Sequence, residues 1–167
     1  NALAANTTNP SAILQMRDLY AKRGKLNLWL KNWQGAVADF TNSLARPEGT
    51  VDPTVYADRA EAYTAMGNFA DAMTFFDEAY SKCPSIHSSL YTQGEKTFVG
   101  LLKAEADQAK KDALLDKFMG VYDSWIQYYG NQKKTPKYFL LGRKANNYVK
   151  YSDEKNPDAK LKAYDWY

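Results

Sequence analysis

Residues 62–84 read AYTAMGNFADAMTFFDEAYSKCP, and small and large side chains alternate through them at helical intervals. Taken with the residues from Pro53 onward, the large positions are Tyr56, Tyr63, Phe69 and Phe76, and the small ones are Ala60, Gly67, Ala72 and Ala79. Steps of three to four residues within each half predict two amphipathic helices. Gly67-Asn68 reads as the turn between them, and Pro84 as the stop of the second. Small residues at Ala60 and Ala72 let two antiparallel helices approach closely, while the aromatic rings fill the space beside them.

The pattern recurs. Thirty-six residues upstream, Ala72 becomes Ala36, Phe76 becomes Phe40, Phe69 becomes Trp33, Ala60 becomes Gly24 and Tyr56 becomes Tyr20. This copy is looser: Lys31 stands at the turn glycine, Asn27 at the place of Tyr63 and Ser43 at that of Ala79. The link ARPEGTVDP, residues 45–53, is rich in Pro and Gly and reads as a stretched loop.

Downstream the copies degrade. SSLYTQGEKTFVGLLKA reads as another first helix, with Leu90, Gly94, Leu101 and Leu102 spaced for packing. A long partner follows from about Asp107 to Tyr129, striped by Leu114, Phe118, Val121, Tyr122, Trp125 and Tyr129, with Gly130 as its stop. KTPKYFLLGRKANNYVKY gives a fourth first helix packed through Tyr138, Leu141, Gly142 and Ala145. Asn156-Pro157 reads as a cap and first-turn proline opening DAKLKAYDWY. There Ala163 and Tyr167 repeat the small–aromatic pair of Ala36/Phe40 and Ala72/Phe76, and a helix ending so is expected to continue into a longer array or to self-associate.

The nine positions Tyr56, Ala60, Tyr63, Gly67, Phe69, Ala72, Phe76, Ala79 and Pro84 resemble the signature of the tetratricopeptide repeat, a helix–turn–helix unit of about 34 residues. Arg59 departs from it, standing where that family has leucine. The resemblance implies an all-α, right-handed superhelical solenoid of antiparallel helix pairs. The pairs fall at about 11–46, 53–84, 86–129 and 135–167, the last incomplete, after a flexible segment 1–10. It also implies a concave face lined by the first helix of each pair. Phasing those helices by the motif points Lys25, Trp29, Glu61, Thr64, Tyr91, Glu95, Phe98, Phe139, Arg143 and Asn146 inward. Aromatic anchors mixed with both charge signs suit a protein or peptide partner.

One branch of the family clamps chaperone C-terminal carboxylates with Lys and Asn residues. Ala21 and Asp58 stand here where that branch has them, which argues against a co-chaperone. The tyrosine-rich later pairs, with QGEK and LGRKA, look more like bacterial envelope members of the family, which points to an extracytoplasmic setting. A structural spacer at the front of a larger envelope protein is the alternative function.

Composition is that of an ordinary globular domain and argues against several other classes. The 167 residues are 45% hydrophobic and 25% charged, close to globular averages. A net charge of +3, with both signs interspersed, is unlike the concentrated basic face of a nucleic-acid binder. The single cysteine, Cys83, rules out an internal disulfide. No stretch approaches the ~18 apolar residues of a membrane span. His87 is the only histidine, so a His-His metal pair is excluded, and just after Pro84 its plainest role is to start a helix. Isolated Gly94, Gly100, Gly120 and Gly142 form no phosphate loop. The expectation is a non-enzyme without cofactor or metal.

Overall fold

Side chains just ahead of the helices account for where most of them begin. Asn9, Asn32, Asn68, His87 and Asp107 each accept a backbone N–H from the first turn that follows, satisfying a donor that has no partner inside the helix. The structure, a computed structural model, describes residues 9–46, 50–153 and 156–166. Residues 1–8 of the expected flexible segment, part of the 45–53 link, and Tyr167 lie outside the described residues. Within them the secondary structure is entirely α: α1 Pro10–Trp29, α2 Trp33–Leu44, α3 Thr54–Ala65, α4 Phe69–Lys82, α5 Ser88–Ala104, α6 Gln108–Tyr129, α7 Lys137–Tyr151 and α8 Ala159–Tyr164. The chain forms two compact units, Asn1–Cys83 and Pro84–Tyr167.

In the first unit α1 packs on α2, α3 on α4, and α2 on α3. The α1–α2 and α3–α4 turns repeat each other bond for bond at a spacing of 36 residues. Lys31 N–H donates to Leu28 O and Asn32 N–H to Asn27 O; Gly67 N–H donates to Thr64 O and Asn68 N–H to Tyr63 O. Such paired bonds close a helix through one left-handed residue. That residue is Gly67, at φ 75°, in one turn and Lys31, at φ 58°, in the other. Asn32 and Asn68 follow with φ/ψ of −85°/74° and −86°/75°, and each caps the next helix. Ala36 and Ala72 are each the fourth residue of their helix and fully buried, with Phe40 and Phe76 buried a turn later.

Two more contacts share the period. Arg46 lies over the Tyr20 ring at 4.7 Å, and Lys82 over the Tyr56 ring at 5.5 Å. A cation ending the second helix thus covers the first aromatic of its own pair. One cluster changes chemistry at constant position. In the first pair, buried Asp39 accepts from Arg23 Nε at 2.8 Å and from Asn27 Nδ2 at 2.9 Å. In the second, Phe75 stands in place of Asp39 and Tyr63 in place of Asn27. The two rings stack at 5.6 Å, and the Arg59 guanidinium sits 3.8 Å from the Phe75 centroid. The arginine that departs from the family pattern therefore has an aromatic partner where its counterpart has a carboxylate.

The second unit packs α5 on α6, α6 on α7 and α7 on α8. Its core is a run of rings: Phe98 on Phe118 at 4.8 Å, then Tyr122, Trp125, Tyr91 and Tyr129. The outer hydroxyls are used, Tyr91 donating to Pro84 O and Tyr129 to Ser85 O, both at 2.8 Å. Three local expectations are corrected here. Leu115 and Met119 are buried in α6 while Leu114 is only half-buried. In α7 the buried positions are Leu140, Lys144, Ala145, Asn147, Tyr148 and Tyr151, and Tyr138 is 77% exposed. Finally, Asn156 does not cap α8: its Oδ1 accepts from Asp158 N–H in a tight turn, and the helix starts at Ala159.

Candidate binding faces

In the first unit Lys25 ties α1 to α3. Its Nζ donates to Thr54 Oγ1 at 3.2 Å and stands 3.6 Å from Asp58 Oδ2. The longer distance is an ion pair without a hydrogen bond, and Asp58 Oδ2 is buried with no donor. Burial therefore pushes the Asp58 carboxyl up to about 6, against the opposing pull of Lys25. Beside this pair a cleft of about 260 Å³ opens, lined among others by Arg17, Ala21, Lys22, Lys25, Asp52 and Val55. Trp29 is 79% exposed at the end of α1. Glu61 is half-buried, and Thr64 is buried with its hydroxyl donating to Ala60 O at 2.8 Å.

In the second unit two of the residues expected to point inward, Glu95 and Arg143, bond to each other. Glu95, buried on α5, accepts from Tyr122 Oη at 2.7 Å, from Asn147 Nδ2 at 3.0 Å and from Arg143. Asn147 Nδ2 also donates to Tyr122 Oη at 2.8 Å. Burial, and then the Glu95 carboxylate, hold the Tyr122 hydroxyl well above the usual phenol range, so it stays a donor. The Arg143 guanidinium lies 5.6 Å from the Phe139 centroid and 5.8 Å from that of Trp125, which stacks on Tyr91. The Trp125 indole Nε1 is buried without a hydrogen-bond partner.

Tyr91, Glu95, Phe98 and Thr64 are thus core residues rather than a lining, because each spends its side chain inside its own unit. Phe139, 44% exposed, Arg143 and Asn146 present themselves at the surface of α7, as Lys25 and Trp29 do on α1. Sequence reasoning missed Tyr122 as a polar partner and Asn147 altogether. A signal for Asn147 existed: it lies four residues after Arg143, where both can reach one carboxylate.

No family model matches this chain, nor does any curated protein or solved structure. Among the described residues no group of His, Cys, Asp and Glu could hold a metal ion, and no helix is long and apolar enough to cross a membrane. His87 serves as the cap of α5, its Nδ1 accepting from Leu90 N–H at 3.3 Å.

Proposed function

We propose that this chain is a non-catalytic scaffold of tetratricopeptide-like helix pairs, stacked as a solenoid, that holds a peptide or partner protein against its first helices. The observation that carries the reading is the 36-residue recurrence of the turn, its asparagine cap and the buried small–aromatic pair in α1–α2 and α3–α4. A stacked repeat of this kind builds an extended surface rather than an enclosed pocket, and that is the geometry of partner capture. The exposed members of the lining, Lys25, Trp29, Phe139, Arg143 and Asn146, supply aromatic anchors and charge. Glu95 holds Arg143 from within its own unit.

Arg143 is the wrong residue for a charge-reversal test, although its position on α7 first suggests it. Arg143→Glu would set a second carboxylate against buried Glu95 and weaken the unit itself. Phe139→Ala and Asn146→Ala remove surface groups and leave the Glu95 network whole. Capture of a binding protein by the full chain, followed by mass spectrometry, should weaken at least about tenfold with Phe139→Ala and Trp29→Ala combined. A helical spectrum and Tm like the parent's would show that the fold is intact. Undiminished capture by the combined variant would remove these residues from the binding face.

A further inference from the structure

The exposed side of α1 carries a stripe that the fold does not use. Leu19, Leu26 and Leu30, spaced seven and four residues apart, fall on one face of the helix, with Trp29 beside them, and all four are more than half exposed. Seven and four is the spacing by which one helix seats its side chains against another. The stripe from Leu19 to Leu30 is about 16 Å long at 1.5 Å per residue, which matches three turns of a partner helix.

Most of the charge around it is paired. Arg17 is offset by Asp18, Arg23 by Asp39 and Lys25 by Asp58. Lys22 and Lys31, both exposed, make no ion pair among the described residues. Lys22 lies one turn from Leu19 and Leu26, and Lys31 adjoins Leu30. Asp18 is the only carboxylate in α1. A second copy laid antiparallel, Leu19 against Leu30, would set Lys31 near Asp18 but place Asn27, not a carboxylate, opposite Lys22.

We infer that the leucine stripe of α1, edged by Lys22 and Lys31, is a docking face for an acidic amphipathic helix of a partner protein. That helix would set apolar side chains against Leu19, Leu26, Trp29 and Leu30 and carboxylates against the two lysines. This surface lies outside the α7 face and shares only Trp29 with the lining proposed above.

The test titrates the full chain into a labelled synthetic helix-forming peptide, with leucines at alternating seven- and four-residue spacing and glutamates flanking them, read by fluorescence anisotropy. A twin peptide carries lysine for every glutamate. The acidic peptide should bind and the twin should bind at least about tenfold more weakly. Leu26→Ser should weaken the acidic peptide about tenfold, Lys22→Glu with Lys31→Glu should abolish its binding, and Phe139→Ala should leave it unchanged. Added salt should weaken it progressively. Absence of acidic-peptide binding, equal binding of both peptides, or indifference to Leu26→Ser would overturn the proposal. Vesicles of phosphatidylserine and phosphatidylcholine, and sedimentation of the protein alone, complete the set. Vesicle capture or a dimer, lost in Leu26→Ser, would give the stripe to lipid or to a second copy and overturn it as well.

Discussion

Gly24 decides how closely α1 can lie on α2. A Cβ there would meet Phe40 Cε1 at 2.6 Å and Cδ1 at 2.8 Å, and the Phe40 ring is fully buried. Two effects oppose each other in Gly24→Ala. Helix propensity favours alanine by about 1 kcal/mol, while forcing a buried ring aside costs about 1–3 kcal/mol. The clash involves ring atoms in a filled core, so it should win. Urea unfolding should show a net loss of up to about 2 kcal/mol, and Phe40→Leu in the same chain should recover part of it. At Asp58 the folded carboxyl, raised to about 6, binds its proton more tightly than the unfolded one, whose ordinary value is near 3.9. Its contribution is therefore fully present below about pH 4 and is lost as pH rises through about 6. Asp58→Asn should stabilise the protein at pH 7 by on the order of 2 kcal/mol and flatten the stability profile between pH 4 and 7. A variant whose profile keeps the parent's slope there would show that Asp58 titrates normally.

At the scale of helix pairs, one scaffold carries two chemistries at the same positions. Arg23 meets a buried carboxylate and Arg59 a phenyl ring. Removing Arg23 leaves Asp39 buried with Asn27 as its remaining donor, so Arg23→Ala should cost about 3 kcal/mol. Writing the second pair's residues into the first, Asn27→Tyr with Asp39→Phe, replaces the ion pair by a ring stack under the same guanidinium. In that background Arg23→Ala should cost only about 1 kcal/mol, the scale of a cation–π contact. Thermal or urea unfolding of the four chains gives the comparison. An unchanged penalty would mean that the clusters are not interchangeable and that the positional match is accidental.

For the whole molecule, what could be read from the sequence was what depends on local spacing. The alternation of small and large residues placed the turns at Lys31 and Gly67, and the single histidine before a helix was legible as its cap. The polar network of the second unit was not legible. Which carboxylate lies under which guanidinium depends on the rotational phase of α7, and a shift of one residue turns a side chain by about 100°. Asn146 and Asn147 differ by that single step, and only Asn147 reaches Glu95. Tyr138 was misplaced for the same reason: in a helix with tyrosines on both sides, hydrophobic size alone does not say which faces inward. The ring series from Phe98 to Tyr129 likewise joins α5 to α6 through contacts that no local pattern records.

The helix pairs α1–α2 and α3–α4 repeat one unit, down to the backbone of the turn. Exchanging the two turn residues puts that equivalence to the test. Lys31→Gly relieves a left-handed lysine and should stabilise the protein by about 1 kcal/mol, while Gly67→Lys imposes the same strain and should destabilise it by a similar amount. The double exchange, followed by urea unfolding, should therefore return within about 0.5 kcal/mol of the parent. Destabilisation by both single changes, or a double variant well below the parent, would show that the two turns differ and that the repeat is not one.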